Sequence, residues 1–385
     1  MSLKLKDVMS MEYLEEFKLI AGEGGLDRFI NTIGILDHEM IEDMMHIFVE
    51  GELVLSTMSV ARNDVDLVFQ SIKSLIDQNV AALAIKAVYY KTLPQEIIDY
   101  ANSYNFPIFL FEPTIFIEDV IRTVFSGIKS RGMHSLMEIK LETLFSGSVN
   151  PNTVHDIAIE LNADFQMKTL AIYCQEKRFI SDDSVIKIID KYMRITNRSR
   201  KNGLFKFRKG FIVILSAEPN DKMKPELDLQ YLFDSLGLKS SDFVLGMSTV
   251  QKTLYTLDKA IKESYFAYQT AVLTQEDAVP YASTGLYKLL MSISDQPWTI
   301  QYTNTLLDPL FKYDEKYNTK LYETIKLYFN AQGKTAVVAE HLYQHKNTIL
   351  QRIRKVKELT GPFKSDQDFF EQLSTAIKLY EIRNL

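Results

Sequence analysis

A single cysteine in 385 residues, Cys174, excludes an internal disulfide and fits a reducing compartment. It ends the apolar run Leu170-Ala171-Ile172-Tyr173, which predicts a buried, inert thiol rather than a nucleophile. No stretch approaches the ~20 consecutive apolar residues of a membrane-spanning helix, and MSLKLKDVMSMEYLEEF at the N-terminus lacks the unbroken apolar core of a signal peptide. A cytoplasmic chain with no membrane partner is the expectation. Gly-x-Ser-x-Gly, Cys-x-x-Cys and HExxH are all missing, so the common hydrolase, redox and zinc-protease signatures are absent. Positive charge is in deficit, with 44 Lys and Arg against 50 Asp and Glu. Hydrophobic residues at 46% nevertheless provide cores of normal size, and the length predicts two or three domains.

Against that acidic background, Lys334 to Lys357 carries six basic residues and one acid, a net +5 where the chain as a whole is −6. A basic island in an acidic protein is an electrostatic footprint for phosphate. The stretch Lys334–Gly361 predicts two short helices with a tight turn at Tyr343-Gln344-His345. Val338 and Leu342 make the apolar stripe of the first helix, with small Ala336 and Ala339 beside them. Ile349, Ile353 and Val356 share one face of the second. The opposite face carries Asn347, Gln351, Arg354 and Lys355, flanked by Thr348 and Arg352, the side-chain types that reach base edges and phosphates from the major groove. A solvated helix pair with one charged face would show the same pattern. His341 and His345 are spaced as helical metal ligands are, but the helix is expected to end between them, near Tyr343.

The N-terminal third contains four apolar runs, Ile33–Leu36, Leu53–Leu55, Ala82–Ile85 and Pro107–Phe111, separated by helical pattern at Asp64–Gln78 and Pro94–Tyr104. This alternation argues for parallel strands covered on both faces, with Pro94 as a first helical residue. Ligands of such sheets bind beyond the carboxyl ends of the strands. Those ends carry Asp37, Ser56, Thr57, Lys86 and Glu112, a mixture suited to a small polar or zwitterionic metabolite; ordinary polar capping would use the same residues. Gly22-Glu23-Gly24-Gly25 lacks the Lys-Ser/Thr of a phosphate loop and is expected to be a turn that does not follow a strand. His38 among Asp37, Glu39, Glu42 and Asp43 fits an exposed acidic helix start better than a metal cluster. Phe116 to Phe145 predicts one or two helices, with Gly132 marking a bend or break. Such an amphipathic connector pairs with its copy in a dimer or packs on its own domains.

In the middle third, Thr169–Cys174 predicts a strand. Leu204–Phe207 and Phe211–Leu215 predict a hairpin turned at Arg208-Lys209-Gly210, with Gly210 supplying the unusual backbone angle. A helix from about Lys224 to Leu236, a strand Phe243–Met247 and a helix Leu254–Leu273 follow.

Three resemblances coincide with these regions. Asp308-Pro309-Leu310, Tyr313-Asp314, Leu321 through Leu327, Thr335, Ala339, Leu342, His345, Asn347-Thr348, Arg352 and Leu359-Thr360-Gly361 resemble the C-terminal helix-turn-helix of the PucR family of bacterial transcription regulators, the purine-catabolism-regulator type. At Ile349-Leu350-Gln351 the chain departs from the family, where an aromatic commonly precedes the arginine; this bears on base preference rather than role. Leu5-Lys6-Asp7-Val8, Ala21 through Arg28 and Gly51 through Thr57 resemble the PucR-type N-terminal sensor. The middle order resembles the GGDEF-like domain of PucR and CdaR regulators, whose active relatives hold nucleotide and metal on a Gly-Gly-acid-acid-Phe turn. Arg208-Lys209-Gly210 has no paired carboxylates, so a structural or dimerising domain without catalysis is implied.

The resulting expectation is a multidomain α/β and α+β chain. Its parts are a parallel α/β sensor at 1–119, a helical connector at 120–165, a degenerate GGDEF-like α+β domain at 166–283, and an all-α helical linker with helix-turn-helix at 284–385. The resemblance implies a ligand-responsive, sequence-specific regulator of nitrogen-compound catabolism genes, not an enzyme and without cofactor or metal. The expected DNA-binding residues are His345, Lys346, Asn347, Thr348, Gln351, Arg352, Arg354 and Lys355. Expected partners are a double-stranded DNA operator, an amino acid or purine effector at Asp37, Ser56, Thr57, Lys86 and Glu112, a second copy of the chain, and RNA polymerase. The rival is a nucleotide-handling enzyme using the central domain, which would need paired metal-binding carboxylates near the Arg208 hairpin; the hairpin has none.

Overall fold

The computed structural model describes residues 3–37, 39, 47–178, 181–195 and 201–385. The chain divides into two compact units, Met1–Met137 and Glu138–Leu385. Among the described residues no helix is long and apolar enough to cross a membrane.

The first unit runs β1 (Leu3–Lys4), α1 (Leu5–Val8), β2 (Lys18–Ala21), β3 (Phe29–Ile30), β4 (Thr32–Ile35), β5 (Glu52–Ser56), α2 (Val65–Asp77), β6 (Ala82–Lys86), α3 (Gln95–Ser103), β7 (Ile108–Phe111) and the start of α4 (Ile117–Ser146). Its main sheet has the order β2-β7-β6-β5-β4. The four strands expected from the apolar runs are parallel, and the short β2 lies antiparallel on β7. Alternate residues supply the two faces. Val54, Leu83, Ile85 and Ile108 meet Val68, Ile72 and Leu75 of α2 and Ile97 of α3. Leu53, Leu55, Ala84 and Phe111 meet Leu5 and Val8 of α1 and Val120 and Val124 of α4.

Local chemistry sets the element ends. The Asp64 side chain accepts from Leu67 N at 2.9 Å and starts α2. Pro94, expected inside α3, is instead its N-cap in an extended conformation, with Gln95 as the first helical residue. The Gly22–Gly25 segment is a 3-10 turn, as expected, but it does follow a strand. Gly22 takes φ +73°, donates its N–H to Asn102 Oδ1 at 2.7 Å, and lies so close to the Phe106 carbonyl that a Cβ would stand 2.0 Å from it. The glycines serve chain packing, not phosphate. α4 is one uninterrupted helix, and Gly132 does not break it into two elements.

The second unit continues with α5 (Pro151–Leu161), β8 (Lys168–Glu176), α6 (Asp182–Ile195), β9 (Gly203–Phe207), β10 (Gly210–Ala217), α7 (Pro225–Leu236), β11 (Phe243–Met247), α8 (Leu257–Thr274) and β12 (Ala278–Pro280). The sheet order is β12-β11-β8-β10-β9, antiparallel except where β12 joins β11. Val185 and Ile189 of α6 with Leu229 and Phe233 of α7 cover one face. α8 lies close against β11 at Gly246, where a Cβ would meet the Ser264 carbonyl at 2.1 Å. Cys174 is fully buried and burial pushes its thiol pKa up, as an inert position requires.

At the β9–β10 hairpin the left-handed angle falls on Arg208, φ +53°, and not on Gly210 as expected. Gly210 is needed for room instead, since a Cβ there would stand 2.2 Å from the Cys174 carbonyl of the neighbouring strand. Arg208 is held in this position from several sides. Its N–H donates to Glu138 Oε1 at 2.8 Å and its guanidinium grips Glu142 through Nε (2.7 Å) and Nη2 (3.2 Å). The guanidinium carbon also lies 4.0 and 4.3 Å from the Phe145 and Tyr265 ring centroids.

The C-terminal part is helical throughout: α9 (Tyr287–Ile293), α10 (Pro297–Tyr317), α11 (Leu321–Asn330), α12 (Thr335–His341), α13 (Lys346–Thr360) and α14 (Asp366–Arg383). One core joins Leu307 and Leu310 of α10, Ile325 and Phe329 of α11, Val338 of α12, Ile349, Ile353 and Val356 of α13, and Phe369 and Leu373 of α14.

Candidate nucleic-acid interface and strand-end site

The turn between α12 and α13 is built from its own residues. Tyr343 takes φ +51° and Gln344 N donates to Ala339 O at 2.9 Å, which closes α12. His345 is the N-cap of α13, its Nδ1 accepting from Asn347 N at 3.2 Å. His345 is also exposed, but its ring is engaged in starting the helix, and Thr348 is half-buried behind it. His341 ends one helix while His345 begins the next.

On α13 the apolar stripe and the polar face separate cleanly. Ile349, Ile353 and Val356 are buried, while Asn347, Gln351 and Arg354 are exposed at spacings of four and three that align them on one side. Lys346 is exposed at the first turn. Arg352 does not join this face, because its Nη1 donates at 3.0 Å to Thr324 Oγ1 of α11, a fully buried threonine. Lys355 donates to Glu358 at 2.9 Å, and Lys357 to Asp366 at 2.6 Å. These two carboxylates lie beyond the +5 window, so part of the basic island is neutralised locally.

Sequence pattern assigned no role to the residues that hold this helix pair in place. Asp314, at the end of α10, accepts from Leu321 N (2.7 Å), Tyr322 N (2.9 Å) and Thr319 Oγ1 (2.6 Å), tying α10 to the start of α11. Its signal was available in Asp-x-x-x-x-Thr-x-Leu before an apolar run. Thr324 gave no signal, since its role depends on Arg352 reaching it across the fold.

In the first unit three of the five strand-end residues form a knot. Asp37 Oδ1 accepts from Thr57 Oγ1 (2.9 Å), Thr57 N (3.2 Å) and, more distantly, Ser56 Oγ (3.4 Å). Ser56 is fully buried and its Oγ also accepts from Met58 N at 2.9 Å. Lys86 stands apart, half-buried at the end of β6, with Nζ 5.6 Å from the Phe116 ring centroid. Glu112 is exposed past the end of β7. The acidic neighbourhood imagined around His38 is only partly described: His38, Glu42 and Asp43 lie outside the described residues, and Glu39 accepts from Asp37 N at 2.9 Å. Among the described residues no group of three or more His, Cys, Asp or Glu could hold a metal.

The helix pair, with its buried stripe, tight turn and exposed polar face, defines a helix-turn-helix domain. Residues 321–379 match the PucR C-terminal helix-turn-helix domain, and residues 7–128 match the purine catabolism regulatory protein-like family. The chain thus carries a PucR-family domain at its N-terminal end and a PucR helix-turn-helix at its C-terminal end. It is 31% identical over 125 residues to the proline-responsive transcriptional activator PutR of Bacillus subtilis (strain 168), a match covering 32% of this chain and 30% of that protein. It is 28% identical over 137 residues to the purine catabolism regulatory protein of the same organism, covering 35% and 25%. The matches therefore span less than a third of either relative. The crystal structure of a regulator of polyketide synthase expression from Bifidobacterium adolescentis aligns over 66% of this chain and all of its own length, with 17% identity and a TM-score of 0.32.

Proposed function

We propose that this chain is a cytoplasmic, ligand-responsive transcription regulator that binds duplex DNA through α13. The observation that carries the reading is the exposed row Asn347–Gln351–Arg354 on a helix whose opposite stripe is locked into a five-helix core. In the major groove Asn or Gln can pair with adenine and Arg with guanine, each contact giving ~1–3 kcal/mol of discrimination. Lys346 and, once released from Glu358, Lys355 lie where phosphate contacts set position. His345 and Thr348 shape the helix start, and Arg352 fixes the helix against α11.

The effector is a small metabolite bound by the first unit beyond the strand ends, near Asp37, Ser56, Thr57, Lys86 and Glu112. The names of the two relatives favour an amino acid or a purine, and control of nitrogen-compound catabolism. The chain acts as a homodimer, since one short recognition helix reads few bases, and it contacts RNA polymerase when it activates. The central sheet serves structure or dimerisation, its hairpin tip being occupied by Arg208 and its two glutamate partners rather than by paired carboxylates open to a metal.

The test is fluorescence anisotropy of the whole chain with a mixed-sequence DNA duplex across a salt series. Binding should weaken linearly in log–log form, and Lys346→Ala should flatten the slope by ~0.9. Absence of binding at low salt, or binding unchanged by both Lys346→Ala and Gln351→Ala, removes α13 as the DNA contact.

A further inference from the structure

The strand register puts two opposite charges at the carboxyl end of the first sheet, two strands apart. Ile35 pairs with Leu55, and Leu55 with Ala84. Two residues further along each strand, Asp37, Thr57 and Lys86 occupy successive places in one rank. Asp37 and Thr57 lie just past the ends of β4 and β5, and Lys86 is the last residue of β6. Asp37 and Lys86 therefore stand two strands apart, ~9–10 Å between backbone positions. No salt bridge joins them, and among the described residues Lys86 has no carboxylate partner at all. All three donors to Asp37 converge on Oδ1, leaving Oδ2 for a further donor. Phe116 is 65% exposed, and its ring centroid lies 5.6 Å from the Lys86 ammonium.

We propose that Asp37, Thr57 and Lys86 form a binding site for a free amino acid. Its ammonium is taken by Asp37, which the Thr57 hydroxyl braces, its carboxylate by Lys86, and its side chain lies against Phe116. The assignment rests on the reading of the first unit as an effector sensor and narrows it. A neutral purine would leave both the Lys86 ammonium and the Asp37 carboxylate partly desolvated and unmatched, which is costly. A phosphate would meet the Asp37 charge. A zwitterion matches both ends at once with charge-assisted hydrogen bonds. Ser56 and Glu112 fall outside the site: the first is buried and satisfied behind Asp37, and the second is exposed beyond the edge of the rank.

The experiment is a calorimetric and thermal-shift series on the whole chain. The probes are the free L-amino acids, the amide and N-acetyl form of the best binder, and adenine, guanine and hypoxanthine. At least one free amino acid should bind, and its amide and N-acetyl forms should bind at least 10-fold more weakly. Lys86→Met should weaken binding by roughly 10–100-fold, the worth of one charge-assisted hydrogen bond. Asp37→Asn keeps an acceptor for Thr57 and should lose the amino acid while keeping the unliganded melting temperature. Preference for a purine base, no binding of any amino acid at millimolar concentration, or an undiminished response in Lys86→Met overturns the assignment. DNA anisotropy on the same samples separates the two readings. DNA binding with a Lys86-independent effector leaves the regulator standing and removes this site, whereas amino-acid binding without DNA binding does the reverse.

Discussion

Replacing Arg352 and its neighbour Gln351 in turn separates a residue that holds α13 from one that reads DNA. Arg352→Ala removes the 3.0 Å bond to Thr324 Oγ1, whose hydroxyl also donates to Lys320 O at 2.6 Å. A hydrogen bond from a charged donor is worth about 1.5–3 kcal/mol, and half-exposure of the guanidinium screens this to about 1 kcal/mol. Gln351 is exposed, so Gln351→Ala should change stability by less than ~0.5 kcal/mol. A chain of two units has no single unfolding free energy, so the measurement is native-state hydrogen exchange at the amides of α11 and α13. Arg352→Ala should speed exchange there about fivefold, with a matching loss of DNA affinity and an unchanged salt slope. Gln351→Ala should leave exchange alone and relax the preference at one base position by ~1–3 kcal/mol. Unaltered exchange in Arg352→Ala, combined with a slope flattened by ~0.9, would mean that the guanidinium leaves Thr324 for a phosphate, and the positioning role would be lost.

Glu358→Gln should free Lys355 from its 2.9 Å partner, raising affinity for any duplex and steepening the salt slope by ~0.9; an unchanged slope would show that Lys355 never meets phosphate. Gly210→Ala should destabilise the central sheet by about 1–3 kcal/mol or more, because the added Cβ meets backbone rather than a movable side chain, and a melting temperature equal to the parent would contradict the close approach. Burial, with Tyr265 beside it, pushes the Tyr268 hydroxyl up from 10.0 to about 12. The unfolded chain therefore ionises this group first, and its contribution to stability is complete below pH 10 and lost as pH rises from 10 to about 12. An absorbance titration should show tyrosines ionising above pH 10 together with loss of the circular-dichroism signal; complete ionisation near pH 10 in a native-like fold would refute it.

The elements legible in the sequence are those whose pattern is local. Phe243–Met247 is legible to the residue, the four parallel strands to within one, and the buried stripe of α13 from its spacing, because their apolar runs or stripes are continuous. The edge strand Lys18–Ala21 escaped notice since it has little periodicity and depends on β7 for pairing. The hairpin shows how local chemistry misleads. Glycine beside a turn suggests a left-handed angle, yet that angle is imposed on Arg208 by Glu138, Glu142 and two aromatic rings from other elements. The exposed face of α13 was visible from spacing alone. The diversion of Arg352 into Thr324 was not, because the helix wheel places it at the boundary and only the packed α11 decides which way it goes.

That diversion limits how much α13 can say. With Arg352 turned inward, three exposed side chains remain on the reading face, and three side chains address about three or four base pairs. At about two bits per base pair this is roughly six to eight bits, whereas singling out one site among ~10⁶ competitors takes about 20 bits. One copy of the helix is a syllable rather than a word. On the reading proposed above, an address in a genome would be spelled by several copies of α13 laid along the same DNA, so the distance between copies would carry as much of the message as the bases each one touches.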